Sequence, residues 1–169
     1  INPGLARQAL NLALPDTARI VALLPGSRMG EVRRLGPLFL ETAQWLSAQR
    51  PDLHFLLPAA TPRLHDVLET MQSELAPDLP LTLLQGHSRE VLTVAEVVLS
   101  ASGTATLEAM LLKRPLVVAY RVAPITAWIA RRLLTIAYFA LPNLLAGREL
   151  LRAGQCQVDN PLIYGRCSA

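Results

Sequence analysis

Short apolar runs alternate with helical patterns along most of the chain, and no other feature constrains the fold as strongly. Residues 20–24, 53–57, 81–84, 97–100 and 116–120 read as strands, with helices at 31–50, 62–75, 90–95 and 104–113. The strands are continuous apolar runs, so both of their faces must be covered. Strand, helix, strand, repeated, predicts a parallel sheet with helices on both faces, an α/β Rossmann-like architecture. In such sheets ligands sit beyond the carboxyl ends of the strands, near the point where strand order reverses.

Two of the predicted strands end in turns suited to an anion. Ser102-Gly103-Thr104-Ala105-Thr106-Leu107-Glu108 follows one strand and opens a helix. Free backbone N–H groups and the positive end of the helix dipole lie at that junction, and the Ser102 and Thr104 hydroxyls add donors. Glu108 lies about one turn beyond Thr104, so its carboxylate can face the same crevice as a hydroxyl acceptor. The plain alternative is a helix N-cap, with Ser102 or Thr104 capping and Glu108 solvated. The second turn is Leu24-Pro25-Gly26-Ser27-Arg28. Gly26 permits a tight turn and close ligand approach, Ser27 offers a hydroxyl and Arg28 a forked cation. It is neither a Walker loop nor GxGxxG. A strand-end turn and a helix cap could account for either segment alone; two at the carboxyl ends of parallel strands would converge on one crevice.

Composition narrows the classes. A chain of 169 residues suits one domain. With 51% hydrophobic and 17% charged residues it is too apolar for disorder, and apolar enough for some surface to meet a partner, a lipid or another part of the protein. The net charge of +3 comes from scattered basic residues. Arg33-Arg34 and Arg131-Arg132 are the notable pairs, no aromatic residues interleave with them, and nucleic-acid binding is not expected. His54, His65 and His87 are dispersed, and Cys156 and Cys167 lack CxxC spacing, so neither a metal site nor a disulfide framework is suggested; no cofactor is expected.

Residues 122–145 are rich in apolar side chains, but Arg131-Arg132 interrupts them and Pro124 and Pro142 punctuate them, which argues against a transmembrane helix. Ile125 to Leu134 could form an amphipathic helix, suited either to a membrane interface or to packing on another domain. The chain begins at Ile1 without a methionine or an apolar signal core; it is expected to be part of a longer protein with no secretory targeting.

The turn at 24–28 with Glu31, the run from Ser102 to Met110, Val118-Ala119-Tyr120-Arg121 and above all Leu141-Pro142-Asn143-Leu144-Leu145-Ala146-Gly147-Arg148-Glu149-Leu150 resemble the lipid-A-disaccharide synthase family over residues 2–151. The resemblance implies a glycosyltransferase of the two-domain GT-B architecture. It would transfer 2,3-diacylglucosamine from UDP to 2,3-diacylglucosamine 1-phosphate, with UDP released, in lipid A biosynthesis. Residues 1–151 would be the UDP-sugar donor-binding C-terminal half, and the N-terminal acceptor domain would be missing. The tail, 152–169, departs from the family pattern and is expected to be aberrant and disordered.

By the same resemblance Gly26, Ser27 and Arg28 would stabilise the diphosphate, joined by Ser102, Gly103 and Thr104. Glu108 would accept from the ribose hydroxyls, and the loop Gly86-His87-Ser88 would lie near the uracil. Asn143 and Arg148 would lie near the sugar or the interdomain cleft. The catalytic base is expected from the acceptor domain; Glu31 and Glu149 read more easily as a helix-turn carboxylate and a partner of Arg148. A cytoplasmic location, peripheral contact with the inner membrane and a homodimer of the whole protein are further expectations. The alternatives are a non-catalytic UDP-binding module and a UDP-sugar 2-epimerase-like enzyme. Against the epimerase, Leu107 precedes Glu108 where that class would carry paired glutamates.

Overall fold

The computed structural model describes residues 3–12, 14, 18–121, 151–155 and 162–167. In chain order these form α1 (Pro3–Ala9), β1 (Arg19–Leu24), α2 (Met29–Gln49), β2 (Leu53–Ala59), α3 (Pro62–Leu75), β3 (Leu81–Gln85), α4 (Ser88–Val94), β4 (Val97–Ala101), α5 (Thr104–Leu111), β5 (Leu116–Arg121), β6 (Leu151–Gln155) and β7 (Leu162–Cys167). The strands lie in the order β3–β2–β1–β4–β5–β7–β6. The first five pair in parallel, as expected. The chain works outward from β1 to β3, then crosses back to place β4 on the other side of β1, so strand order reverses between β1 and β4.

The continuous apolar runs follow from burial on both faces. On β1, Val21 and Leu23 join one core cluster with Leu35, Phe39 and Leu40 of α2 and Leu64 and Leu68 of α3. Ile20, Ala22 and Leu24 point the other way, into a second cluster with Ala6 of α1, Val91 and Leu92 of α4 and Ala109 of α5. A period-two backbone between two helix layers requires apolar residues at every position.

Local signals set the helix starts. Thr61 caps α3, its hydroxyl accepting from the Leu64 N–H at 3.3 Å, and Pro62 occupies the first turn, where its missing N–H costs nothing. Large side chains remain outside both cores: Trp45 and Leu5 are each 64% exposed and Leu111 83%.

Two observations depart from the sequence reading. Helix α1 has no counterpart in the sequence pattern; seven residues carry too short a periodicity to stand out, and Ala6 packs in the cluster shared with α4. In the segment expected to be disordered, β6 and β7 pair antiparallel, and β7 continues the sheet antiparallel to β5. The open edge of β5 offers unpaired backbone donors and acceptors, and pairing with them is a tertiary event that a five-residue pattern does not announce.

Candidate functional site

The reversal point creates a crevice where β1 and β4 diverge into α2 and α5. Its volume is about 420 Å³, within the range of small-molecule sites. Gly26, Ser27 and Arg28 line it from the β1–α2 turn, and Ser102, Gly103 and Thr104 from the β4–α5 turn. Glu108, one turn into α5, completes the wall. These seven residues come together as expected. Gly86 does not line the crevice; its positive φ of 75° shapes the turn, its N–H donates to the Ala59 carbonyl at 2.8 Å, and the loop reaches the crevice through Ser88 two residues later. Asn143, Arg148 and the 141–150 run that carries the resemblance lie outside the described residues, as does the 125–134 segment.

The two turns differ in what fills them. At the β4–α5 turn the N-cap of α5 is Gly103, and no side chain caps it. The Thr106 hydroxyl donates to the Gly103 carbonyl at 2.6 Å, which anchors the turn from its carbonyl side. The Thr106 N–H closes on the Gly103 carbonyl at 3.2 Å, and among the described residues the Thr104 and Ala105 N–H groups have no side-chain acceptor, with the positive end of the dipole behind them. A Cβ built at Gly103 would meet nothing within 4 Å, so among the described residues nothing fills this turn.

At the β1–α2 turn the space is taken. Glu31 Oε2 accepts from the backbone N–H groups of Ser27 at 3.2 Å and Arg28 at 3.3 Å. Gly26 has φ of 131°, which strains any residue with a side chain, and a Cβ there would come within 2.6 Å of both the Cβ and Oε2 of Glu31. The close approach that the glycine permits is thus made by Glu31 of the same chain. Arg28 is the accessible cation, its side chain 84% exposed, with a guanidinium nitrogen 3.7 Å from Glu31 Oε1. Glu31 is the helix-turn carboxylate expected from the sequence, at the third position of α2, and its place inside the crevice depends on backbone geometry at Gly26.

Chemically, the described residues of the crevice offer the exposed Arg28 guanidinium, a helix terminus and hydroxyls for an anion, and the Glu108 carboxylate for hydroxyl groups. On α3, His65, Asp66 and Glu69 bring ligand atoms within 4.8 Å of one another, but none lines the crevice and both carboxylates are exposed. Among the described residues, no helix is long and apolar enough to cross a membrane.

Comparison with known proteins identifies the family of the chain. Residues 4–161 match the family model described as lipid-A-disaccharide synthetase. The lipid-A-disaccharide synthase of Hahella chejuensis is 47% identical over 151 residues, and that of Pseudomonas putida 56% identical over 146. The alignments cover 89% and 86% of this chain and 38% of each relative, so the chain spans well under half the length of the curated relatives it matches. Among solved structures, the UDP-GlcNAc 2-epimerase of Neisseria meningitidis, determined with UDP-GlcNAc bound, aligns with a TM-score of 0.55 at 15% identity over 85% of this chain and 39% of the epimerase. That likeness shows the α/β fold; the family match goes further, and this chain belongs to the lipid-A-disaccharide synthetase family.

Proposed function

We propose that this chain is the donor-holding half of a GT-B glycosyltransferase that moves 2,3-diacylglucosamine from its UDP derivative to 2,3-diacylglucosamine 1-phosphate, giving the disaccharide 1-phosphate and UDP. The observation that carries the reading is the meeting of Arg28, the uncapped start of α5 and Glu108 in one crevice at the sheet's reversal point. Family membership supplies the reaction class.

Each group has a part. Glycosyl transfer leaves negative charge growing on the departing UDP while the sugar becomes cation-like. Arg28 and the α5 dipole would stabilise that charge. Gly26, Ser27, Ser102, Gly103 and Thr104 would shape and bond the diphosphate, and Glu108 would accept from the ribose hydroxyls. Ser88, with Gly86 shaping its loop, would sit toward the base. Asn143 and Arg148 would serve the sugar or the cleft toward the acceptor domain. The base that deprotonates the acceptor 6-hydroxyl would come from that N-terminal domain. Because donor and acceptor both carry acyl chains, the whole protein would work in peripheral contact with the cytoplasmic face of the inner membrane; a homodimer belongs to the same reading.

The test is calorimetric titration of the chain with UDP. Weak binding is expected, reduced about fivefold by Glu108→Ala through loss of hydroxyl contacts worth about 1 kcal/mol. A folded sample that binds no UDP up to millimolar concentration removes the donor-site reading. Incubation with acylated donor and acceptor should yield no disaccharide from this chain alone; robust turnover would mean that the base lies within it.

A further inference from the structure

The crevice already contains an anion of the protein's own. Glu31 Oε2 takes hydrogen bonds from two consecutive backbone N–H groups, those of Ser27 and Arg28. Successive N–H donors in a turn are the kind of concavity that holds phosphate oxygens. The Glu31 carboxylate also faces the Arg28 guanidinium, at 3.7 Å through its other oxygen. The missing side chain at Gly26 makes room for it, since a Cβ there would lie 2.6 Å from Oε2. Among the described residues Gly103, across the crevice, has no such occupant: nothing lies within 4 Å of its Cβ position, and α5 has no side-chain cap.

We propose that Glu31 is a built-in competitor of the phosphate ligand: it occupies the backbone donors of the β1–α2 turn and shares the charge of Arg28, so a bound diphosphate gains less from that turn than it otherwise would and is retained weakly. This rests on the reading of the crevice as a nucleoside diphosphate site. A carboxylate lining the same crevice as a diphosphate repels it, and in a reaction that leaves a nucleoside diphosphate behind, that repulsion favours release of the product. A carboxylate that merely capped α2 would stabilise the fold and leave ligand affinity alone.

Glu31→Gln separates the two roles, because the amide oxygen can still accept from the turn while the charge is gone. Wild type and Glu31→Gln are titrated with UDP and with uridine at fixed ionic strength, with thermal melts to confirm folding; Glu31→Ala serves as a second variant. UDP should bind both variants about three- to fivefold more tightly than wild type, the scale of a partly exposed charge interaction, while uridine binding stays unchanged. Unchanged or weaker UDP binding by the folded variants overturns the proposal and leaves the donor-site reading standing. Absence of UDP binding in wild type and both variants overturns both.

Discussion

The two ends of the parallel sheet are built on opposite plans. At the amino end two arginines are paired with carboxylates of the chain. Arg19 at the start of β1 meets Glu96 just before β4 at 2.8 Å, and Arg50 grips Asp52 ahead of β2 through two contacts at 3.1 and 3.2 Å. The Arg50 guanidinium holds the Asp52 carboxyl below its usual range. At the carboxyl end Arg28 reaches into solvent, α5 begins without a side-chain cap, and the Glu31 carboxylate on the first turn of α2 takes backbone N–H donors that line the crevice. Closed ends hold strands in register; open ends leave electrostatics unspent for a guest. The contrast predicts that substitutions at the two ends report in different assays.

The largest effect is expected where the open end is tightest. Gly26→Ala places a Cβ 2.6 Å from Glu31 and forces φ of 131° on a residue that avoids it. The combined clash and backbone strain should cost about 2–4 kcal/mol of stability, read as a lowered urea midpoint, and should disturb UDP binding as well. Gly103→Ala meets open space and should cost far less. Equal losses at the two glycines would erase the distinction between the filled turn and the open one.

Arg28→Ala comes next, and it should dissociate binding from stability. The exposed side chain supports little structure, so melting should barely move, while UDP affinity falls about tenfold with the loss of a charge-assisted bond. At the other end the Arg19–Glu96 pair should behave in reverse. A double-mutant cycle with Arg19→Ala and Glu96→Ala should give a coupling of about 0.5 kcal/mol in stability and no change in UDP affinity. A change in UDP affinity from Arg19→Ala would mean that the two ends are coupled through β1.

Much of this arrangement is legible before the coordinates. Buried parallel strands must be apolar at every position, so the runs at 20–24 and 97–100 announce themselves, and the turns that follow them mark the crevice by the general rule for open α/β sheets. What escapes depends on geometry remote in sequence or finer than residue type. Gly26 reads as room for a ligand, and only its φ and the rotamer of Glu31 reveal that the room is used internally. Gly86 carries the glycine signal of a binding loop while its neighbour Ser88 does the lining. Strands β6 and β7 depend on an available edge at β5, which neither segment encodes by itself.

The smallest effect expected is a pH response confined to the closed end. His54 on β2 is partly buried, its Nε2 lies 2.8 Å from the Thr82 hydroxyl on β3, and burial pushes its pKa below the ordinary 6.5. A lowered folded-state pKa means that, as pH falls below 6.5, the unfolded chain takes up the proton first. Stability is therefore unaffected by this group above 6.5 and declines as pH drops through the folded-state value. Asp52, also lowered, adds its own decline only further down, as pH falls below its ordinary 3.8. Denaturant midpoints measured from pH 7.5 to 5 should therefore drift downward, and His54→Gln should flatten that drift while leaving UDP affinity unchanged. A drift unchanged in His54→Gln would assign the acid sensitivity to other groups.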